Sequence, residues 1–504
     1  MPLLVPIYNS MFTGAMLAAL DITIIATALP HIASDFSAQT QMSWVATAYL
    51  LAYTAFQPVY GRFSDIFGRK YMFLFACTIF LVASIGCGAA PSMTALILFR
   101  ALQGLGGSGL FSVVIIMVSD MFENLEERAR YQSLIWLAFA VSGVAGPLLG
   151  GAFVEHVTWR WCFYIGIPLT VLPMVLVGTL FNVPFEKTQL SEKMRRVDYL
   201  GVLFIVAAVL CLLLPLSWGG TTYAWNSAPI IILFCLFAVL LVVVYFIELR
   251  AGKDAVIPPA LFLNRNVALA VLINGLMGMC YMGCTYYMPL YFQAVQGTST
   301  TNSGLRMMPS TFAIVFSTIT ASFLLKRVRD YRVFLWVGTA IMTLGVGLFM
   351  LLDAEAGLGK QLGFVLIMGL GQGLIFQNCL LTCQECAGDE YIAVATALCG
   401  FINSVGSAVG VAICGSAFNN ALVKNVAKLS PEIQEIVREY GVIENMDAIS
   451  KLPGDEIRRQ VVQTYADSFR FLFMVLTPIM GASFIMSLFL NKRRPAPAAT
   501  EKET

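Results

Sequence analysis

Gly61-Arg-Phe-Ser-Asp-Ile-Phe-Gly-Arg-Lys70 packs four charges and two glycines into ten residues. An apolar run flanks it on each side, at about 41–60 and 71–90. Each is close to the roughly 20 residues that cross a 30 Å hydrocarbon core as a helix, at about 1.5 Å per residue. The decapeptide therefore reads as a tight, charged turn between two membrane-spanning helices. Its cations, Arg62, Arg69 and Lys70, put it in the cytoplasm, because short cytoplasmic loops are rich in Lys and Arg.

Composition agrees with a polytopic membrane protein. Of 504 residues, 58% are hydrophobic and 12% charged, against about 25% charged in a soluble domain. The balance of 31 basic and 29 acidic residues argues against a nucleic-acid partner. The first apolar run, about 7–29, contains Asp21 and continues into Pro30 without a small-residue cleavage pattern, so it is expected to be a span and not a removable signal. Twelve cysteines are scattered through apolar runs, with one C-x-x-C at Cys383–Cys386, and the two histidines, His31 and His156, are remote from it. No metal site and no cofactor are expected, and the cysteines read as small packing residues. No H-x-x-x-H or nucleophile elbow is present, so an enzyme is not expected.

Fourteen apolar runs follow one another, at about 7–29, 41–60, 71–90, 93–118, 132–154, 161–182, 197–217, 228–249, 267–294, 304–325, 332–352, 361–384, 391–420 and 469–490. With the decapeptide inside, the inner segments hold twenty cations and the short outer loops only two, Arg160 and Lys360. Both termini are then cytoplasmic. The fold class is an all-α polytopic membrane protein: a six-helix bundle over 1–190, two additional transmembrane helices with flanking cytoplasmic linkers over 191–264, and a second six-helix bundle over 265–492. The last unit includes an extracellular segment, 421–468, expected to form two short amphipathic helices with Ser-Pro and Pro-Gly starts. Residues 493–504 read as a disordered cytoplasmic tail. A 6+6 order with a weak internal echo (Lys326–Arg332 sits where the decapeptide sits in the first half) suggests a duplicated transporter.

Several motifs sharpen this. Gly61-x-x-x-Asp65-x-x-Gly68-Arg69-Lys70 resembles the signature loop between spans 2 and 3 of the major facilitator superfamily. Arg100-Ala-Leu-Gln103-Gly104-Leu-Gly106-Gly107 resembles its span-4 motif, and Gly143-Val-Ala-Gly146-Pro147-Leu-Leu-Gly150-Gly151 the span-5 motif of its exporters. Leu20-Asp21-Ile-Thr23-Ile-Ile-Ala-Thr-Ala-Leu29-Pro30 is similar to the span-1 motif of fourteen-spanner drug:proton antiporters. Trp159-Arg160-Trp161-Cys162-Phe163-Tyr164 and Pro168 look like the fungal members, including multidrug and mycotoxin efflux pumps. Relatives of that kind usually carry Asn where Gly166 stands and often a basic residue or Gln at Asn403. Those departures bear on cargo, not on fold. The resemblance implies a major facilitator fold and export of drugs, toxins or secondary metabolites in exchange for protons.

The charges themselves carry a physical reading. A charge near the bilayer centre costs about 2.5–3.5 kcal/mol. Asp21 lies eight residues below the outer end of span 1 and Arg100 seven below the outer start of span 4, so they share a height and are expected to pair as the proton-coupling site. In the gating motif (Gly61, Asp65, Gly68, Arg69, Lys70), Asp65 is expected to accept backbone N–H groups from a helix start in the opposite half, and Arg69 to pair with Asp65 or Asp120. Gly143, Gly146, Pro147, Gly150 and Gly151 predict a bent helix with a smooth packing face. Arg306 is expected to snorkel to the outer interface. Gln103, Tyr286, Tyr287, Gln293, Gln372, Gln377 and Asn403 are the candidate cargo contacts.

The expected protein is a monomeric carrier of small molecules and protons in the plasma membrane, or alternatively in the vacuolar one. A vacuolar basic amino acid permease or a siderophore carrier is the nearest alternative within transport. A transporter-like receptor is the alternative outside it.

Overall fold

A computed structural model describes residues 4–492 apart from 123, 182–188, 221, 329, 443–448 and 450–451. The tail 493–504 and parts of the 185–198 and 421–468 segments lie outside the described residues. Fourteen long helices run back and forth: α1 (Leu4–Asp35), α2 (Met42–Phe67), α3 (Arg69–Gly88), α4 (Met93–Met121), α5 (Leu125–His156), α6 (Gly166–Leu180), α7 (Tyr199–Trp218), α8 (Ala228–Ala251), α9 (Arg265–Ala294), α10 (Met308–Val328), α11 (Tyr331–Leu348), α12 (Leu358–Ala387), α13 (Ile392–Val426) and α14 (Asp455–Leu488). Among the described residues, thirteen spans are long and apolar enough to cross a membrane. The remaining helix, α2, is 26 residues long but more polar. Its Gln57 and Arg62 are buried inside the protein.

Helix ends follow from local chemistry. Ser92 accepts the Ala95 N–H at the start of α4, Asn124 that of Glu126 at α5, and Asn264 that of Asn266 at α9, each satisfying a donor that the first turn leaves unpaired. Gly68 breaks α2 from α3 at φ 96°, ψ 144°, a conformation a side chain disfavours. The end of the molecule bearing residues 61–70 is called the turn face below, and the opposite end the far face.

α1–α6 pack on one another as one bundle and α9–α14 as a second. They meet along two seams. α2 packs on α13 along one, while α5 packs on α10 and α12 along the other. The additional pair α7–α8 docks at the first seam, where α7 touches both α2 and α13. α8 exposes Ile232, Val239, Val242, Tyr245 and Phe246, the apolar girth of a lipid-facing helix.

The 421–468 segment differs from expectation in one respect. The Ser-Pro start opens a short helix, Pro431–Glu439, that buries Ile433 and Val437. The Pro-Gly start opens no second short helix. Asp455 instead begins α14, which runs unbroken for 34 residues, because nothing between Asp455 and Phe469 interrupts it. The span expected at 469–490 therefore projects fourteen residues further out from the far face.

Candidate functional site

Asp21 and Arg100 meet in the first bundle. Arg100 Nη1 donates to Asp21 Oδ2 at 2.6 Å, and Gln103 Nε2 to Asp21 Oδ1 at 2.8 Å. Arg100 also donates through Nε to the Val45 carbonyl and through Nη1 to Gln103 Oε1, and its guanidinium sits 4.3 Å above the Tyr49 ring. Asp21 is 5% exposed and Arg100 2%. A pair removed this far from water stands only when its remaining donors and acceptors are satisfied, and Gln103 supplies that. Gln103, a candidate cargo contact by sequence, is thereby engaged at the carboxylate and at Ser84 Oγ. The constellation ties α1, α2 and α4 together through one titratable group.

At the turn face Arg69 bridges two carboxylates: Nε donates to Asp120 Oδ2 at 2.7 Å and Nη1 to Asp65. Both partners anticipated for Arg69 are engaged at once. The expectation for Asp65 is not met: among the described residues its second oxygen, Oδ2, has no partner, and Arg69 holds the first inside its own bundle. Gly61 makes the cross-half contact instead. A Cβ there would lie 2.6 Å from Ala397 Cβ and 3.2 Å from the Ala393 carbonyl, so only a glycine lets α2 lie this close to α13. Among the described residues, the side-chain hydrogen bonds and ring contacts between the halves lie between mid-membrane and the turn face. Ser404 donates to Gln57, Gln132 to Gln384, Trp136 to Gln377, and Ser322 to the Ala129 carbonyl. The turn face is closed.

The span-5 motif divides. Built Cβ atoms at Gly146 and Gly150 would fall 2.1 Å from Thr23 Oγ1 and 2.3 Å from Thr27 Oγ1, whereas those at Gly143 and Gly151 would meet nothing within 4 Å. Only the first two form the smooth face, and it receives α1. Thr23 Oγ1 donates to the Ser142 carbonyl at 3.0 Å, and Ser142 Oγ donates back to the Met16 carbonyl at 3.0 Å. Pro147, lacking an N–H, sits in the middle of this joint. Asp21 and the joint thus share α1, two residues apart.

A family model described as Major Facilitator Superfamily matches residues 11–411. The chain belongs to the Major Facilitator Superfamily. It is 33% identical over 489 residues to an MFS-type efflux pump of Arthroderma benhamiae, covering 96% of this chain and 90% of that one. It is 33% identical over 481 residues to an efflux pump, aunC, of Aspergillus niger, covering 95% and 90%. The MFS-type transporter phomT of Diaporthe leptostromiformis is 35% identical over 420 residues, covering 82% and 70%. The structure of the human organic anion transporter MFSD10 (TETRAN) superposes with a TM-score of 0.62, at 12% identity, over 96% of this chain and 99% of that one. That likeness concerns the fold alone.

In this facilitator the two halves enclose a small cavity of about 20 Å³ at the seam, walled by Phe111, Ser112, Ile115, Trp136, Asn274, Phe376, Leu380, Thr396, Ala397, Cys399 and Gly400. None of the seven candidate cargo residues lines it. Gln377 stands behind the wall, bonded to Trp136 at 2.9 Å, and Asn403 behind Asn274 at 3.1 Å. Gln372 is buried with its Oε1 unpartnered. Tyr287 is buried against Phe418, Tyr286 is 57% exposed on the bundle surface, and Gln293 opens on a polar cleft of the far face with Arg458 and Arg459. Sequence reading missed Phe111, Trp136 and Phe376, because aromatic residues in apolar spans look like packing until the helix rotations are known. Arg306, half-buried, donates to Gln361 Oε1 at 2.6 Å near the far-face start of α12 and lies over Phe292, a partner its own stretch of sequence did not suggest. Arg160 donates to the Gly88 and Ala90 carbonyls at the end of α3, so one of the two short-loop cations of the far face is a helix cap.

Proposed function

We propose that this facilitator exports small organic molecules in exchange for protons, from the cytoplasm outward across a fungal plasma membrane, with the turn face and both termini cytoplasmic. The twenty-to-two distribution of cations supports the orientation, and the printed names of the relatives support efflux. In that orientation the structure is shut toward the cytoplasm. The observation that carries the coupling is Asp21, a buried carboxylate held by Arg100 and Gln103 on the outer side of mid-membrane.

A proton arriving from outside neutralises Asp21 and cancels the ion pair. Arg100 keeps the Val45 carbonyl, Gln103 and the Tyr49 ring, so it stays with α2 and α4 while α1 is released. α1 carries Thr23 against the Pro147 joint, so its release reaches α5, the helix that lines one seam. Rocking of the halves then opens the turn face, the proton leaves to the cytoplasm, and the recharged pair draws α1 back. Phe111, Trp136 and Phe376 meet edge to face, with ring centroids 5.7 and 4.4 Å apart. Among the described residues no charged side chain lines the cavity, which favours flat, uncharged cargo. The cavity must widen to take it.

The test is uptake of a neutral fluorescent aromatic dye into proteoliposomes with an acid interior. Accumulation that collapses with a protonophore is expected. Accumulation indifferent to the gradient contradicts antiport.

A further inference from the structure

The linker after the additional helix pair touches both halves at the turn face. Arg62, 5% exposed, donates through Nη2 to Asp254 Oδ1 at 2.6 Å, and Arg196 Nε lies 3.6 Å from the same oxygen. Lys253, one residue earlier, pairs with Glu390 at 3.4 Å, beside the start of α13. Residues 252–254 are therefore a strap from the first half to the second.

Behind the strap lie two carboxyl groups that the transport reading leaves unused. Glu248, near the end of α8, is 2% exposed. Its Oε2 accepts the Ile257 N–H at 2.9 Å and folds the linker back on α8, while its Oε1 has no partner. Asp198 caps α7, its Oδ1 accepting the Gly201 N–H at 2.8 Å, and its Oδ2 also has no partner. The two orphan oxygens flank one point: a Cβ built on Gly201 would lie 2.2 Å from Asp198 Oδ2 and 2.9 Å from Glu248 Oε1. The charged groups tied to the pair are Arg62 on α2, which acts on Glu248 and donates to Asp254, Arg196 ahead of α7, which approaches Asp254, and Asp65, which faces Arg62. Of these, Arg62 already donates to Asp254, yet its Nε is buried and without a partner.

We propose that Asp198 and Glu248 form a second proton-binding site, holding one proton between Asp198 Oδ2 and Glu248 Oε1, and that this proton sets whether Arg62 stays on Asp254. Both orphan oxygens crowd the Gly201 Cβ position, and two carboxylates so placed repel one another when both carry charge. With the proton bound, the Glu248 O–H donates to Asp198, both orphans are satisfied, and the pair carries one negative charge. When the proton passes to cytoplasmic water the pair carries two. It then competes with Asp254 for the guanidinium of Arg62, whose Nε–H is without a partner. Transfer of Arg62 releases the strap and loosens the closed turn face. The site senses cytoplasmic pH and is separate from Asp21, which lies on the other side of mid-membrane.

The test places spin labels at Tyr71→Cys and Val328→Cys, exposed ends of α3 and α10 on the two halves. The full chain also carries Cys235→Ser and sits in lipid nanodiscs without cargo or gradient. Electron double resonance then reads the distance across the turn face against pH. The wild-type distribution is expected to gain a longer distance as pH rises. Glu248→Gln, whose amide donates permanently to Asp198, is expected to lose that gain. Asp198→Asn, which donates to the Glu248 carboxylate in place of the proton, also holds the pair at one negative charge, is likewise expected to lose the gain, and covers the case in which Glu248→Gln does not fold. A wild-type distance that ignores pH, or variants that track the wild type, overturns the proposal. Loss of the response in Asp21→Asn also overturns it, by assigning the titration to Asp21. Neither the labels nor the conditions depend on antiport, so the two readings fail separately.

Discussion

Gly143 and Gly146 look equivalent in sequence, yet the structure gives them opposite fates on substitution. In Gly146→Ala the new methyl carbon would lie 2.1 Å from Thr23 Oγ1, 2.7 Å from Thr23 Cβ and 3.0 Å from the Ile24 nitrogen. Turning Thr23 away abandons its bond to the Ser142 carbonyl, worth about 0.6 kcal/mol inside a membrane. It does not move the Ile24 backbone, so α1 and α5 must also part. Overpacking of this kind costs about 1–3 kcal/mol, for a total of about 1.6–3.6 kcal/mol. A 150–250-residue domain loses about 2–4 °C per kcal/mol and the shift shrinks with size, so this chain of 504 residues should melt about 2–6 °C lower. Scanning fluorimetry of the purified protein reads the shift. Gly143→Ala meets nothing within 4 Å and gains helix propensity, so it should melt at or above wild type. Thr23→Ala should recover part of the Gly146→Ala loss, since contacting sites couple. Equal melting of the two alanine variants, or a Gly146→Ala loss that ignores residue 23, refutes the α1–α5 joint.

Further predictions rest on the charged groups. Arg100→Leu strands Asp21 in a 5%-exposed site and should destabilise by about 3–5 kcal/mol. Adding Asp21→Leu should restore most of the melting temperature, and no recovery would mean the pair is not the cause. Asp65→Ala frees Arg69 from one of its two carboxylates and should impair transport while protease mapping shows unchanged membrane topology. A reversed topology would make the decapeptide an orientation marker only. Burial pushes the Asp330 carboxyl up, but the guanidinium and backbone N–H of Arg332 outweigh burial and hold it below its ordinary value. Its stabilising contribution is therefore present above the unfolded value and lost as pH falls through the lower folded one. Asp330→Asn should cost stability at neutral pH and progressively less in acid. A cost that stays constant through the acid range contradicts the ion pair.

The spans were legible because bilayer thickness fixes their length, and even the polar α2 announced itself through the decapeptide at its end. The Asp21–Arg100 pair was legible too, because equal depth can be counted along two helices from their outer ends. Contacts that depend on helix rotation were not. Arg306 sits at the depth of a snorkelling side chain, and nothing in its own stretch of sequence pointed to Gln361. Arg62 and Asp254 are 192 residues apart and share no periodicity. The candidate cargo residues were chosen for polarity, whereas the cavity wall is made of Phe111, Trp136 and Phe376 with few polar groups. Gly143 and Gly151 match the motif as well as Gly146 and Gly150 do, and only the position of α1 separates them.

Proton coupling through Asp21 is tested most directly by measuring two fluxes in one preparation of Asp21→Asn proteoliposomes. The amide keeps a hydrogen-bonding group beside Arg100 and Gln103 but takes up no proton. Cargo exchange between equal-pH compartments should persist, while accumulation driven by a pH gradient, and the proton flux that accompanies cargo, should both vanish. Full gradient-driven accumulation in that variant at normal expression would contradict the assignment.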